Sequence, residues 1–215
     1  MKTKSSLLLC AILIAGCISI LSSCKKESPK VLLYIRDGSG DILEFMLTKE
    51  VGTMREIIEQ SGFKIIIATV SGEVIKADST SITPDIRLSE VQVDDYAGFI
   101  FPCMASDSMP TKEAIALVKK VVDKDKPIAA QTGSILILGR AGVLNGKKYA
   151  FPQKIINPDM YPELKNGIYS GSGVVQDGNI ITSGLCPSAA KRTGGQDGTA
   201  ELTQKLIQEI KSRND

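Results

Sequence analysis

The sequence predicts an α/β sandwich built around a mainly parallel sheet. One observation is a set of short, continuous apolar runs, which are typical of strands buried on both faces. The other is that these runs alternate with amphipathic segments of helical period. In such a sheet the carboxyl ends of the strands meet at one edge, so functional loops are expected there.

The first half of the chain supplies three predicted strands and one helix. Apolar runs predict strands at residues 31–35, 63–70 and 97–101, the last of them stopped by Pro102. Residues 42–60 carry apolar side chains at spacings of three and four, which predicts a helix ending at Ser61-Gly62. Residues 71–84 show modest strand character, and residues 88–91 predict a short connector.

The second half continues the alternation. The predicted elements are a helix at 111–123, a strand at 128–131, a helix from 135, a hairpin at 174–182 turning at Asp177-Gly178, and a helix at 199–211. The small-residue corner Thr132-Gly133-Ser134 joins the strand at 128–131 to the next helix. Such a corner often presents a nucleophile at a helix N-terminus. The glycine-rich residues 191–198 lack the spacing of a phosphate-binding loop and predict a flexible loop.

The amino-terminal residues predict a lipoprotein leader. Lys2 and Lys4 precede an apolar run over residues 7–21, and small residues and Cys24 close it. We expect a signal peptide at 1–23, a lipidated Cys24 with a tether at 24–30, and the folded domain at 31–215. Cys17 is the alternative acylation site. The expected location is the bacterial cell envelope, with the domain outside the cytoplasm and membrane lipid as a partner.

Composition excludes several classes of function. The chain contains no histidine, so it supplies neither the commonest general base nor the commonest transition-metal ligand. Loss of the leader lowers the 26 basic residues to 24, which equals the number of acidic residues. That balance gives no reason to expect nucleic acid as a partner. The spacing of acids and cysteines predicts no metal site, and we expect no cofactor.

Four segments in order resemble the ThiJ/PfpI family. They are Asp95 to Pro102, Lys126 to Ala130, Ala141 to Lys148, and Val174 to Ser183, within a match of about residues 31–210. The resemblance implies the flavodoxin-like fold of class I glutamine amidotransferases, a three-layer α/β/α sandwich. It also implies a homodimer, since family members are frequently dimeric.

The resemblance implies an altered active site. The family's elbow is Ala-Ile-Cys-x-Gly-Pro, and the spacing to Ala141-Gly142 puts Thr132 at the position of the cysteine and Gly133 where histidine is frequent. Counting back from Gly62 places Glu50 at the family's proton-sharing acid. Thr132 is either a nucleophile with Glu50 as its base or a cap for the following helix. Glu50 is alternatively a first-turn residue favoured by the helix dipole.

Two cysteines of the domain are further candidates. The family's Pro-Gly-Gly loop, whose backbone N–H groups face the nucleophile, reads Pro102-Cys103-Met104 here, which aims Cys103 at the corner. Cys186 precedes Pro187, which matches a proline near the family pocket. With Gly133 and Ser134 these residues outline the expected pocket. The pair is either a redox couple or two unrelated buried thiols.

Three functions remain open at this point. The first is a non-catalytic domain that binds a small ligand or a partner at the former pocket between Glu50, Cys103 and Thr132. The second is a divergent hydrolase- or deglycase-like enzyme that uses Cys103 or Thr132 as nucleophile with Glu50. The third is a thiol redox sensor that uses Cys103 and Cys186.

Overall fold

The computed structural model describes residues 28–38, 40–104, 110–152 and 160–213. Its strands are β1 (Lys30–Tyr34), β2 (Lys64–Thr69), β3 (Ile75–Lys76), β4 (Ser81–Ile82), β5 (Ile86–Arg87), β6 (Tyr96–Phe101), β7 (Ile128–Gln131), β8 (Lys148–Tyr149), β9 (Ile168–Tyr169), β10 (Val174–Asp177) and β11 (Ile180–Ser183). Seven of them form a sheet in the order β10-β11-β7-β6-β1-β2-β5. Only the β10–β11 pairing of that sheet is antiparallel, which confirms the predicted mainly parallel α/β class.

The helices connect these strands. Helix α1 is continuous over three segments, an α-helical Leu43–Met46, a π-helical turn Leu47–Val51 and an α-helical Gly52–Gln60. The others are α2 (Lys112–Asp123), α3 (Ile135–Arg140), α4 (Pro187–Thr193) and α5 (Thr199–Ser212). Short 3-10 turns lie at Leu88–Glu90, Val93–Asp95, Thr132–Ser134 and Pro162–Leu164.

Two apolar layers sandwich the sheet because successive residues of a strand point to opposite faces. In β1, Leu32 and Tyr34 contact the layer that holds the buried face of α2 and α3. Val31 and Leu33 contact the layer that holds α1 and α5. The result is the three-layer sandwich that the resemblance implied.

Of two segments with weak sequence signals, one matches the expectation and the other differs from it. Residues 71–84 contain the antiparallel pair β3–β4, which matches their modest strand character. Residues 191–198 are not wholly a loop, because Lys191, Arg192 and Thr193 complete helix α4, which ends at Gly194 in the left-handed conformation (φ 67°). The prediction missed this helix because it is short and begins at Pro187, directly after a cysteine. Proline is favoured at a first helical position, and that was the available signal.

The predicted leader and both candidate acylation sites, Cys17 and Cys24, lie outside the described residues. Within the described ranges, every helix is too short or too polar to cross a bilayer. The same ranges contain no grouping of three or more acidic, cysteine or histidine side chains suited to hold a metal ion.

Candidate functional site

The predicted corner between β7 and α3 is present, with Thr132 in a strained conformation. Its φ is 45°, in the left-handed region that a β-branched residue seldom adopts. Hydrogen bonds on both sides hold it in place. Ser134 Oγ donates to Pro102 O at 2.6 Å, and Gln131 Nε2 donates to Leu185 O at 2.9 Å. The loops after β6 and β11 therefore support the turn.

The hydroxyl of Thr132 joins the corner to the neighbouring loop. It donates to Gly184 O at 3.2 Å and accepts the N–H of Cys186 at 3.0 Å, and the residue is only 4% exposed. Neither bond goes to the following helix, so the expectation that Thr132 caps α3 is wrong. The hydroxyl proton already has an acceptor, and that acceptor is a carbonyl, which is no base.

Glu50 lies on the π-helical turn of α1 and is fully buried. It is two turns beyond the helix start, so the first-turn interpretation is wrong. Its Oε1 accepts the N–H of Cys103 at 2.7 Å, and its Oε2 accepts the N–H of Met104 at 2.9 Å. A π turn widens the helix by one residue and is frequent at functional sites. In this chain the π-helical turn contains Glu50, whose side chain points into the protein interior.

The electrostatic setting of Glu50 favours its neutral form. Burial, followed by the neighbouring Cys103, raises the pKa of the Glu50 carboxyl well above its usual range. The two backbone N–H bonds and Arg36 act in the opposite direction and are outweighed. The N–H groups that the resemblance aims at a nucleophile are thus bound to Glu50. An oxyanion at the corner would have to compete with this carboxyl for them.

Arg36 is a site residue that the sequence reasoning missed. It lies two residues beyond the end of β1 and is 6% exposed, and its Nη2 donates to the carbonyl oxygen of Cys103. A Cβ at Gly133 would lie 3.2 Å from that Nη2 and 3.7 Å from Cys103 Sγ. Glycine at 133 therefore leaves room for the guanidinium and the sulfur. The available signal was a charged residue immediately after a buried parallel strand, where functional residues collect.

Cys103 and Cys186 are free thiols that lie side by side. They are 4% and 1% exposed and share one apolar cluster with Met46, Leu185 and the start of α4. Their side chains are hydrogen-bonded, and this bond, followed by burial, raises the pKa of the Cys186 thiol.

A cleft of about 640 Å³ opens beside this buried group. Its lining comes from the start of α1, the β3–β4 turn and helix α4. The charged and aromatic side chains of the lining are Asp41, Glu44, Phe45, Asp78, Lys191 and Arg192. The ammonium of Lys191 lies 5.8 Å from the centre of the Phe45 ring. Hydrogen bonds from Ser79 hold Glu44 and lower the pKa of its carboxyl. The carboxylates of the cleft therefore come from the start of α1 and the β3–β4 turn, and its cations come from helix α4.

The structure brings the sequence-predicted site residues together at one edge of the sheet. These are Glu50, Cys103, Thr132, Gly133, Ser134, Cys186 and Pro187, the last being the buried first residue of α4. The three residues expected to enclose a pocket, Glu50, Cys103 and Thr132, are 0–4% exposed. They form a packed group, and the open volume lies next to it, on the far side of Phe45.

Comparison with known proteins finds relatives that match part of this chain. An uncharacterized protein of Methanocaldococcus jannaschii is 33% identical over 59% of this chain, and the match spans 63% of that relative's length. A deglycase of Thermococcus kodakarensis is 26% identical over 72% of this chain and 89% of its own.

Solved structures share the fold at low identity. A ThiJ/PfpI domain protein of Brachyspira murdochii superposes with a TM-score of 0.64 at 16% identity, covering 86% of this chain and 98% of its own. Drosophila melanogaster DJ-1beta gives 0.57 at 23% identity, covering 87% and 97%. The model of the DJ-1/PfpI family matches residues 29–191. The chain therefore belongs to the DJ-1/PfpI family.

Proposed function

We propose that this chain is a non-catalytic member of its family, a binding domain whose ligand site is the cleft beside the former catalytic corner. The observation that carries the proposal is the bonding of Thr132. Its hydroxyl already donates to Gly184 O and accepts from Cys186 N–H, so the residue at the nucleophile position holds the corner to the neighbouring loop by hydrogen bonds. Glu50 is likewise engaged by two backbone N–H groups.

The charges of the cleft favour a small zwitterionic ligand with an apolar part. Asp41 and Asp78 have no ion-pair partner in the described part of the chain, and neither has Arg192. A ligand with an ammonium and a carboxylate group would find a complement for each, and the Phe45 ring offers an apolar contact. A short peptide with free termini has this chemistry, and the volume suits it.

The ligand test uses the tripeptide Ala-Phe-Ala with free termini. Isothermal titration should show binding that weakens at least about tenfold when the amino group is acetylated or the carboxyl group amidated. Arg192→Glu should weaken it similarly, whereas Lys119→Glu, an exposed charge change on α2, should leave it unchanged. Equal affinity for the free and the blocked peptides would contradict the proposed ligand class.

A divergent enzyme is the second candidate, because Cys103 Sγ lies against Gly133 at the corner. A deglycase is among the relatives, so the assay is the release of adduct from a glycated amino acid. The non-catalytic proposal expects no release above that of a Cys103→Ser variant. Turnover that Cys103→Ser abolishes would overturn it and favour the enzyme.

Lipid anchoring through Cys24 is the other part of the proposal. Its support is the leader pattern, a basic start and an apolar run that ends in Leu21-Ser22-Ser23-Cys24, followed by the polar residues 25–30. In a bacterial host, Cys24→Ala should release the chain from the membrane fraction, and mass spectrometry should find acyl chains on residue 24. The same loss with Cys17→Ala instead would assign the anchor to Cys17.

A further inference from the structure

Two thiols from distant parts of the sequence meet in the interior of this domain. Cys103 belongs to the loop after β6, and Cys186 directly precedes α4, yet their side chains are hydrogen-bonded. Both are nearly inaccessible, at 4% and 1% exposure. The proposed ligand cleft does not use them, and the hydrogen bond of Thr132 goes to the backbone N–H of Cys186.

Apolar packing alone does not account for this arrangement. A buried cysteine commonly acts as a small apolar group, and then any apolar neighbour suffices. Here each sulfur has the other sulfur as a neighbour, and the carboxyl of Glu50 interacts with both. The arrangement gathers three ionisable groups at one buried point, with the guanidinium of Arg36 bound to the carbonyl of Cys103.

We propose that Cys103 and Cys186 form a redox-active dithiol, which a disulfide-bearing oxidant converts into an intramolecular disulfide. This inference goes beyond the ligand-binding function and does not depend on it. In the first step, one protein thiolate attacks a sulfur of the oxidant, forms a mixed disulfide and releases one thiol. In the second, the other protein thiolate attacks the sulfur of the first cysteine in the mixed disulfide, which forms the Cys103–Cys186 bond and expels the second half of the oxidant as a thiol. The protein loses two hydrogen atoms, and the oxidant is reduced to two thiols.

Exposure and position assign the order of attack. Cys103 is the more exposed of the two cysteines, at 4% against 1%, and its Sγ lies at the corner, 3.7 Å from where a Cβ of residue 133 would stand. Cys103 therefore makes the first attack, and Cys186 resolves the mixed disulfide. Glu50 and Arg36 are the charged or titratable groups that face the pair from the neighbouring elements.

The cleft provides the route for the oxidant. Phe45 lines the cleft and also packs against the cluster that contains both cysteines. Phe45 is therefore the side chain that links the open volume to the cluster of the two sulfurs, and a small disulfide that reaches the pair would approach past its ring.

The test uses the full chain in detergent with Cys10→Ser, Cys17→Ser and Cys24→Ser, which leaves Cys103 and Cys186 as its only thiols. The folded protein is equilibrated with mixtures of reduced and oxidised glutathione, quenched with acid and digested. We expect a Cys103–Cys186 linked peptide. The effective concentration of the two thiols for each other, measured against glutathione, should be about 100-fold or more higher in the folded chain than in the same chain in guanidinium. The melting temperature should rise by about 4 °C or more on oxidation.

Two single variants separate the roles of the cysteines. Cys186→Ser should accumulate a stable glutathione adduct on Cys103, whereas Cys103→Ser should form its adduct at least about tenfold more slowly. Circular dichroism checks that each variant is folded. If the folded protein keeps both thiols under conditions that oxidise the guanidinium-unfolded chain, the proposal is overturned. The same holds if Cys186 never displaces glutathione from the adduct on Cys103 in the folded protein that has both cysteines.

Discussion

The buried carboxyl of Glu50 makes stability depend on pH in the sense opposite to that of an ion-paired glutamate. Its pKa in the folded state lies well above the ordinary 4.5, and burial is the largest cause. Between pH 4.5 and the folded-state pKa, the Glu50 carboxyl of the folded chain keeps a proton that the same group has lost in the unfolded chain. The stability contributed by the neutral carboxyl is therefore complete below pH 4.5 and is lost as the pH rises towards the folded-state pKa.

The perturbation that isolates this effect is Glu50→Gln, which cannot ionise. One differential proton corresponds to about 1.4 kcal/mol per pH unit. The unfolding free energy of the wild type minus that of Glu50→Gln should therefore fall by up to about 1.4 kcal/mol per unit as the pH rises above the ordinary 4.5 towards the folded-state pKa. At the acid end the wild type should be more stable by about 1–3 kcal/mol, since the glutamine amide replaces one oxygen that accepts a backbone N–H.

The assay is urea denaturation followed by far-ultraviolet circular dichroism, because the chain has no tryptophan to report fluorescence. Other titrating groups are common to both proteins and cancel in the difference. Glu73→Gln, at an exposed glutamate, is the matched control and should leave the wild-type slope unchanged. A constant difference between wild type and Glu50→Gln would refute the dominance of burial. A difference that grows with pH would mean that the hydrogen bonds and Arg36 outweigh burial.

Two further substitutions test the packing of the site and the sheet. Thr132→Val removes the hydroxyl while keeping the shape of the side chain, so Gly184 O and the Cys186 N–H lose their partner. We expect the free energy of unfolding, measured by urea denaturation, to fall by about 2–4 kcal/mol. The control Thr132→Ser keeps the hydroxyl and should change it little. A neutral Thr132→Val would show that water replaces the hydroxyl. Gly98→Ala places a Cβ 2.5 Å from Ile210 Cδ1, between the sheet and α5, and should cost about 1–3 kcal/mol. Ile210→Val in the same chain should recover part of that loss in thermal melts, and an undiminished loss would locate the strain elsewhere.

The elements that the sequence predicted well are those whose signal is local. Continuous apolar runs identified β7 at its observed bounds, and Asp177-Gly178 identified the turn between β10 and β11 because glycine accepts the required φ of 62°. The π turn of α1 could not be predicted, since its residues have ordinary helical composition. It coincides with the hydrogen bonds of Glu50 to the loop after β6, which are contacts between distant parts of the chain.

The residues of the candidate site were likewise partly predictable from the sequence, whereas their contacts were not. Glu50 and Thr132 were located by counting along a family pattern, and the structure does place both at the carboxyl edge of the sheet. The bonding of Thr132 and the contact of Arg36 with Cys103 were not predictable, because they depend on the relative positions of three loops. The cleft was missed for a similar reason, since its lining comes from three separate elements.

The parallel direction of β1 has a consequence for how the domain is presented to its surroundings. The strand starts at Lys30, and its five residues carry the chain about 16 Å to the opposite rim, where Arg36 and the cleft residues follow. Whatever precedes Lys30 joins the domain at the amino rim. A surface that holds the preceding segment would therefore lie next to the amino rim, and the cleft residues at the start of α1 would lie at the rim distant from that surface.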